Sequence, residues 1–364
     1  MRTSSVTKPI YIAQTQPGFE VIAADEIANL EGAQIRSTHT IGDKAGIVIF
    51  TYPDDPADLL ELRTIEDLFE QILYIPDLAP TFAALKQLTE ATLNARTIEP
   101  ALQRARQLKP GRGGQGKLRY RVVARQLGET HFRRVDAQIA VEKGIMQRPE
   151  HRWRLAEEGA LEFWLTLAPG EALLMLRLSD DQQRHRSYKI EHIPASLRPA
   201  AAAALVHLTK PRAHDSFLDP MCGAGTILIE RALAGRYEQL WGGDSDPSTL
   251  DVVRLNVGSR YQPITLQEWD ARHLPLDAGS ITAAAVNLPF GTRIGSPEEN
   301  RTLYPATLRE LARVLQPRAR LVLLSGDAAN LNEAIKRVST IRPLNGFPVH
   351  ILGHRARIVV IERL

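Results

Sequence analysis

A glycine-rich segment in the C-terminal half combines a carboxylate, a cysteine and two closely spaced glycines: Asp219-Pro-Met-Cys-Gly-Ala-Gly-Thr226. It ends a predicted strand and opens an apolar helix, which is where open α/β sheets bind ligands. Gly223 and Gly225 let the backbone pass close to a ligand, but Leu228 stands where a dinucleotide fingerprint would have its third glycine. A ligand with an amino-acid end instead of phosphates therefore fits better, with Asp219 near its ammonium or sulfonium charge. The alternative is a glycine-rich turn that binds nothing.

Carboxylates also follow the next two predicted strands. Asp244 lies 19 residues beyond Gly225, the distance at which an acid binds ribose hydroxyls in doubly wound nucleoside sites. Asp246 precedes Pro247 and a helix, so we predict that it caps this helix instead of binding a ligand. Asp270 ends the third strand, where its carboxylate can accept a hydrogen bond from an adenine amino group; a strand-end cap is the alternative.

The fourth predicted strand ends in Asn287-Leu-Pro-Phe-Gly291, which indicates the reaction class. An exocyclic amine on a base is a poor nucleophile because its lone pair is delocalised into the ring. Two acceptors, the side-chain oxygen of Asn287 and the carbonyl of Leu288, would bind its hydrogens and hold it pyramidal. Pro289 stiffens the turn, and Phe290 offers a face on which a target base can stack. A plain turn that closes a strand is the alternative.

Composition excludes several other chemistries. The single cysteine, Cys222, excludes an internal disulfide, a cysteine-rich zinc site and a cysteine nucleophile for attack on a pyrimidine ring. The histidines are scattered, so no metal is expected, and we interpret His131, His192 and His354 as packing or RNA-contact residues. No apolar run approaches the roughly 18 residues that span a bilayer, and the first residues lack the apolar core of a signal peptide. A cytoplasmic protein is expected.

The C-terminal motifs lie on a regular alternation of strands and helices. This alternation predicts a parallel, doubly wound sheet. Two final strands, 341–349 and 354–363, have no helix between them and predict an antiparallel hairpin at the end of the sheet. The other predicted strands are 216–219, 239–243, 264–269, 282–287 and 320–325, and the predicted helices are 226–234, 247–257, 303–315 and 330–338.

Charge divides the N-terminal half in two. Residues 1–100 hold 7 Lys and Arg against 15 Asp and Glu, a balance of −8, whereas residues 101–154 hold 14 against 4, a balance of +10. A local +10 is what a polyphosphate partner would select, because each cation placed on a phosphate releases condensed counterions. A solvated charged face is the alternative. Both parts mix strand and helix patterns: we predict helices at 18–30, 54–62, 80–108 and 133–146, and strands at 11–15, 46–51, 118–124, 152–155, 161–167 and 173–178.

The four C-terminal motifs resemble those of class I methyltransferases that modify exocyclic amines. More narrowly, the chain resembles the THUMP-domain tRNA guanine-N2 methyltransferases, and the likeness covers nearly its whole length. Many relatives have Asn-Pro-Pro-Tyr or Asp-Pro-Pro-Tyr where this chain has Asn-Leu-Pro-Phe. Leucine in the second position occurs in the branch that modifies acceptor-stem guanosine. Phenylalanine in the fourth position lacks the tyrosine hydroxyl. The narrower resemblance is carried by 287–295, Asn300-Arg-Thr-Leu-Tyr-Pro305, Leu197-Arg-Pro199, Thr15-Gln-Pro-Gly18-Phe-Glu20, Leu62-Arg-Thr64, Tyr120-Arg-Val-Val123 with Arg125, and 128–132.

The resemblance implies an α/β fold in three parts: a ferredoxin-like α+β unit at 1–78, a THUMP-like RNA-binding domain at 79–183 and a Rossmann-like methyltransferase domain at 184–364. It implies that a single chain transfers a methyl group from S-adenosylmethionine to guanine N2 in tRNA, at guanosine 6 of the acceptor stem. Another tRNA position, ribosomal RNA, adenine N6 in DNA, or an inactive RNA-binding protein are the alternatives. The implied residues are Asp219, Cys222, Gly223, Gly225, Asp244, Asp270, Ala271 and Asn287 for the cofactor, Asn287, Leu288, Pro289 and Phe290 for catalysis, and Arg121, Arg125, Arg133 and Arg134 for RNA.

Overall fold

The computed structural model describes residues 8–114, 116–191, 193–194, 196–291 and 295–364. Its strands are β1 (Ile10–Thr15), β2 (Gln34–Ile41), β3 (Ala45–Thr51), β4 (Asp67–Ile75), β5 (Lys117–Gln126), β6 (Arg152–Leu155), β7 (Leu161–Ala168), β8 (Glu171–Arg177), β9 (Ser216–Asp219), β10 (Gln239–Asp244), β11 (Ile264–Glu268), β12 (Ile281–Asn287), β13 (Leu315–Ser325), β14 (Ile341–Ile351) and β15 (His354–Arg363). Its helices are α1 (Glu20–Ala28), α2 (Ala83–Leu93), α3 (Ile98–Leu108), α4 (Arg134–Met146), α5 (Asp181–Arg184), α6 (Pro199–Thr209), α7 (Thr226–Leu233), α8 (Pro247–Val257), α9 (Pro297–Val314) and α10 (Ala328–Lys336).

The C-terminal sheet has seven strands in the order β11-β10-β9-β12-β13-β15-β14. The first five are parallel, and β15 runs antiparallel to both β13 and β14. Successive strand residues alternate between two apolar clusters; Phe217, for example, belongs to one cluster and Leu218 to the other. A sheet that is apolar on both faces is covered on both faces, as the strand–helix alternation requires. The predicted parallel sheet with a final antiparallel hairpin is confirmed.

The N-terminal sheet has eight strands in the order β2-β3-β1-β4-β8-β7-β5-β6. Strand β4 pairs with β1 on one side and with β8 on the other, from Phe69 opposite Arg177 to Ile75 opposite Ala172. The expected boundary at 78/79 falls in the loop between β4 and α2, and the sheet continues across it. One apolar cluster likewise extends from Tyr11 to Leu178.

The N-terminal half packs directly on the C-terminal sheet through α1. Phe19 and Ile22 are buried in the same apolar cluster as Leu205 of α6. Charged contacts surround this apolar contact: Arg63 pairs with Glu230 at 2.7 Å, and Arg198 pairs with Glu66 at 2.9 Å. Gly18 has φ +89°, and a Cβ there would overlap the carbonyl of Pro348. A glycine is therefore required where the two halves approach.

Several element bounds differ from the predicted ones. The segment 54–62 forms only a 3-10 turn, Asp58–Glu61, and 80–108 forms the two helices α2 and α3. Helix α9 begins at Pro297, six residues before the predicted start at 303, because the Ser296 hydroxyl accepts a hydrogen bond from the Glu299 N–H (3.2 Å) and proline suits the first helical position. Strands β2 and β4 were not predicted. Across the described ranges, none of the helices has the length and apolar character needed to cross a membrane.

Candidate active site

A cavity of about 440 Å³ lies at the carboxyl ends of β9, β10 and β12. This is the edge at which open α/β sheets bind ligands. The structure therefore brings together residues from all four C-terminal motifs, although they are as much as 71 positions apart between 219 and 290. The predicted residues on its wall are Asp219, Cys222, Gly223, Asp244, Asp270, Ala271, Asn287, Leu288, Pro289 and Phe290.

Gly225 differs from the other predicted residues because it is not part of the cavity wall. It has φ +78°, and a Cβ there would overlap the Val253 side chain of α8. Gly223, with φ +51°, does line the cavity. The Cys222 N–H donates to the Gly243 carbonyl (2.9 Å) and holds the loop against β10. Gly225 thus allows close packing of the loop on α8, and Gly223 forms part of the cavity wall.

The Cys222 side chain is buried beneath this loop. Burial raises the pKa of its thiol well above the ordinary value, and the nearby carboxyls of Asp219 and Asp244 raise it further. The thiol therefore stays protonated, and a protonated buried thiol is not a nucleophile. This agrees with the exclusion of a cysteine-dependent attack on a pyrimidine ring.

Asp219 is a buried carboxyl at the floor of the cavity. Burial raises its pKa to about 8; the Met221 N–H, which donates to it at 3.3 Å, opposes this shift, and Asp244 adds a smaller rise. No cation among the described residues pairs with it. A buried carboxyl without a cationic partner is costly to ionise, so a cationic ligand group would be stabilised beside it.

Asp244 and Asp246 make different contacts, although they lie only two positions apart in the chain. Oδ2 of Asp244 accepts a hydrogen bond from the Gly223 N–H at 3.1 Å, and the residue lines the cavity. Asp246 accepts a hydrogen bond from the Ser248 N–H at 2.9 Å and begins α8. The helix cap predicted for Asp246 is confirmed. The Asp244 carboxylate accepts from the glycine-rich loop, and its oxygens retain further lone pairs for a ligand.

Asp270 contacts a neighbouring arginine as well as the cavity. Arg272 donates to its carboxylate through Nε at 2.9 Å and Nη2 at 2.6 Å, and its backbone N–H donates at 2.9 Å. These hydrogen bonds hold the pKa of Asp270 below its usual value. Ala271, which is buried, lines the cavity next to it. Each carboxylate oxygen has two lone pairs, so Asp270 can still accept from a ligand amine.

The Asn287 side chain presents an unpaired acceptor. Its Oδ1 atom is buried and has no hydrogen-bond partner within the part of the chain that the structure describes. The adjoining Leu288 is held by its N–H, which donates to the Leu324 carbonyl at 2.9 Å. Buried polar atoms without partners are rare and costly in native proteins. An unpaired acceptor on a cavity wall is suited to a ligand donor such as an amine.

A set of residues that the sequence reasoning did not assign holds the Asn-Leu-Pro-Phe turn from behind. The Tyr304 hydroxyl donates to the Pro289 carbonyl and lies 2.8 Å from the Ser325 hydroxyl. A Cβ at Gly326 would lie 2.5 Å from Cδ2 of Phe290, so only glycine leaves the ring in place. Tyr304 belongs to the Asn300–Pro305 motif, which the family resemblance singled out without giving it a role.

The four arginines predicted to contact RNA are in different environments. Arg125 is turned inward: its guanidinium donates to Thr166 at 2.8 Å and lies 5.8 Å from the Trp164 ring centroid. Arg121 pairs with Glu162 at 3.0 Å. Arg133 has 83% of its side chain exposed and pairs with Asp136. Arg134 is exposed and donates one hydrogen bond to the Ala124 carbonyl. Arg133 and Arg134 are therefore the two accessible to a large ligand.

A further group of cations lies at the edge of the N-terminal sheet, where β5 pairs with β6 in parallel. Lys117 lies opposite Arg152, and Arg119 lies opposite Arg154. All but the half-buried Arg119 are exposed. Like charges directly opposite each other on paired strands destabilise a sheet, and an anion would relieve that repulsion. We call these four residues the basic edge; the sequence showed their charge but not their pairing.

The structure describes two of the three histidines that the sequence interpretation named, and these two lie in different environments. His354 lines the cavity, His131 is exposed, and His192 lies outside the described residues. No cluster of three or more His, Cys, Asp or Glu that could hold a metal ion occurs in the described ranges.

The fold and the cavity together define a class of protein. A Rossmann-like sheet with a glycine-rich loop after its first strand and Asn-Leu-Pro-Phe after its fourth is the architecture of class I methyltransferases. A family model described as RMKL-like, methyltransferase domain matches residues 186–357. The crystal structure of TrmN from Thermus thermophilus superposes with a TM-score of 0.78 at 24% identity, covering 98% of this chain and 100% of that one, which supports the fold.

Sequence relatives identify the family. The tRNA (guanine(6)-N2)-methyltransferase of Thermus thermophilus is 30% identical over 275 residues, which cover 72% of this chain and 78% of the relative. Human tRNA (guanine(6)-N(2))-methyltransferase THUMP3 is 30% identical over 68% of this chain. The chain spans about half the length of the mammalian relatives, 51%. It belongs to the family of tRNA guanine-N2 methyltransferases, as the sequence motifs predicted.

Proposed function

We propose that this chain transfers a methyl group from S-adenosylmethionine to the exocyclic N2 amine of a guanosine in tRNA, at position 6 of the acceptor stem. The buried Oδ1 of Asn287 carries this proposal: it has no partner among the described residues, and it offers an acceptor for an amine hydrogen inside the cavity that Phe290 also lines. The relatives from human, Thermus thermophilus and Methanocaldococcus jannaschii are named for guanine 6 of tRNA, which supports the substrate and the position.

The carboxylates on the cavity wall fit the groups that S-adenosylmethionine would present to them. Asp219, a buried carboxyl that no cation of the described residues pairs with, would lie beside the cationic amino-acid end, and Gly223 lines the same cavity. Asp244 would accept from the ribose hydroxyls, and Asp270 with Ala271 would border the adenine. The remaining residues of the proposed cofactor set are Cys222 and Asn287, whereas Gly225 lies outside the cavity wall and shapes the loop instead. When bound, this cofactor supplies a methyl group attached to a positively charged sulfur, which is an electrophile.

At the target base, the proposed work of the chain is positioning. Oδ1 of Asn287 and the Leu288 carbonyl would each accept a hydrogen bond from the N2 amine. The nitrogen lone pair would then point at the methyl carbon. Phe290 would stack on the base, which must leave its helix to reach the cavity. Tyr304 would keep the turn in place through the Pro289 carbonyl. Such alignment lowers the barrier by removing the entropic cost of bringing the reactants together.

We further propose that the N-terminal half, 1–78 with the THUMP-like 79–183, binds RNA. A-form helices hide their base edges in a deep, narrow groove, so recognition relies on shape and phosphate contacts. The exposed Arg133 and Arg134 and the four residues of the basic edge are cations that can make such contacts. We also propose that the protein acts on tRNA in the cytoplasm and that it does so as a monomer.

Mass spectrometry of nucleosides tests the activity. Unmodified tRNA transcripts incubated with the protein and S-adenosylmethionine should yield N2-methylguanosine, and a transcript with adenosine at position 6 should yield none. The Asn287→Ala variant should lose transfer and keep cofactor affinity, whereas the exposed Asn345→Ala variant serves as the matched control. Absence of methylated guanosine with the wild-type protein would overturn the proposal. Methylation of the position-6 variant would move the target elsewhere in the RNA.

A further inference from the structure

The turn between β14 and β15 has an unfavourable residue at its tip. Ile351 pairs with His354, so only Leu352 and Gly353 form the turn. Both have positive φ, +50° for Leu352 and +83° for Gly353. This is the pattern of a type I′ turn, in which asparagine, aspartate or glycine is preferred at the first position. Gly353 suits its place, but a leucine in the left-handed region is sterically strained.

The Leu352 side chain is also exposed to solvent, where an apolar residue contributes little to stability. Its exposure is 44%, and it lines the same cavity as Phe290 and Asn287. The other described non-glycine residues with positive φ, Lys210 and Arg318, have charged side chains and do not line the cavity. Asparagine would suit both the turn and the solvent at position 352. Strained residues of this kind cluster at binding sites, where the surrounding structure holds them in place.

The strand order places Leu352 on one side of the cavity. Neighbouring strands are about 4.8 Å apart, so β15, two places from β12, begins roughly 10 Å from the Asn287 strand. Strand β11, which leads to Asp270, is five places from β15, or roughly 24 Å. Leu352 therefore lies on the side of Asn287 away from the three strands whose ends carry the proposed cofactor carboxylates.

We propose that Leu352 is a substrate-contacting residue that packs against the extruded target guanine, with Phe290 as the other apolar surface against the base. This inference rests on the proposed function. An extruded base loses its stacking neighbours and needs apolar or aromatic side chains to replace them. The exposed leucine gains its contact only when the RNA base is in the cavity.

The test exploits opposite expectations for stability and activity. Leu352→Asn places the favoured Asn-Gly pair in the turn and should raise the Tm, yet it should lower kcat/KM for tRNA by about tenfold because the apolar contact is lost. Leu352→Met keeps an apolar side chain and should stay within about threefold of the wild type. The control is Leu344→Asn, a leucine of the same hairpin with 41% exposure outside the cavity wall, which should not change turnover.

Cofactor affinity, measured by calorimetry, separates the outcomes. It should be the same in wild type and Leu352→Asn. An active wild type with an equally active Leu352→Asn variant overturns this inference alone, and so does a parallel loss of cofactor affinity, which would assign Leu352 to the cofactor. A wild-type protein that transfers no methyl group to RNA overturns the proposed function and this inference with it.

Discussion

The wild-type protein should bind S-adenosylmethionine more weakly as the pH falls below 8, and replacing Asp219 with asparagine should remove this pH dependence. Burial raises the pKa of this carboxyl to about 8, so the free protein holds a proton there at neutral pH. A cationic ligand group beside it favours the carboxylate, and binding must therefore release the proton. Each pH unit below 8 should then weaken binding about tenfold, because ionising the carboxyl costs about 1.4 kcal/mol more per unit.

The measurement is calorimetry at pH 6, 7, 8 and 9 on the wild type and Asp219→Asn. The amino group of the cofactor titrates near pH 8 as well, so the quantity of interest is the difference between the two proteins. The difference in log affinity should rise by about 1 per pH unit up to pH 8 and be constant above it. Proton release on binding at pH 7, obtained from buffers of different ionisation enthalpy, should be nearly one for the wild type only. Parallel affinity curves would refute the assignment of Asp219 to the cationic end.

The ionisation of Asp219 should also affect folding stability, but in the opposite direction: affinity rises with pH below 8, whereas stability falls. The folded-state pKa of Asp219 lies above the unfolded value of 3.8, so between about pH 4 and 8 the folded protein holds a proton that the unfolded chain releases. The contribution of this carboxyl to stability therefore falls as pH rises through that window, by at most about 1.4 kcal/mol per unit. Asp219→Asn should gain stability relative to the wild type between pH 5 and 8, as urea unfolding can measure.

Three further changes probe the proposed ribose contact, the Asn-Leu-Pro-Phe turn and the proposed RNA contacts. Asp244→Ala should weaken cofactor binding by roughly 1.5–3 kcal/mol, since charge-assisted hydrogen bonds to the ribose are lost; calorimetry checks this. Tyr304→Phe removes the hydroxyl that holds the Asn-Leu-Pro-Phe turn and should lower kcat severalfold with cofactor affinity unchanged, in a steady-state assay. Arg133→Ala with Arg134→Ala should weaken RNA binding and reduce the salt slope of log affinity by about 1 per phosphate contact, as filter binding at several salt concentrations can show.

Matched controls make these outcomes decisive. Asp251→Ala removes an exposed carboxylate of α8 that does not line the cavity, and it should leave cofactor affinity unchanged. Equal loss of affinity in both aspartate variants would contradict the ribose role. Arg318→Ala removes an exposed charge from the start of β13, at the opposite end of the sheet from the cavity, and should leave RNA binding unchanged. A severalfold drop in cofactor affinity with Tyr304→Phe would show a wider effect than turn positioning.

The C-terminal fold could be predicted from the sequence because its signals are local. Each strand, turn and helix lies within a few tens of residues, and the predicted cavity-lining residues follow strand ends. Strand β4 could not be predicted in this way. Its sequence, Asp67-Leu-Phe-Glu-Gln-Ile-Leu-Tyr-Ile, carries acidic residues that are buried, and burial is tolerated only because Arg177 and Arg104 pair with them. Arg177 is 110 residues away from Asp67, so no local pattern reveals this strand.

The net charge counted along the sequence does not show which cations of the basic segment 101–154 are paired in the fold. Several cations of the basic segment pair with acids from other parts of the same sheet: Arg104 with Glu70, and Arg121 with Glu162. Arg125 is directed inward and has its pKa lowered by burial. The count of +10 therefore overstates the charge available to RNA. Which cations are free depends on strand pairing, and this is why the basic edge emerges only in three dimensions.

The same long-range packing decides how the RNA-binding proposal can be tested. A fragment beginning near Arg184 would appear to isolate the catalytic half, but Phe19, just before α1, and Ile22 of α1 complete the apolar cluster around Leu205. Removing two fully buried side chains of this size costs about 3–6 kcal/mol, a large share of the roughly 5–15 kcal/mol that stabilises a domain. Poor methylation by such a fragment would report misfolding as readily as a lost RNA contact. Surface charge variants in the full chain keep this core intact, so a loss of RNA affinity in them can be assigned to the phosphate contacts themselves.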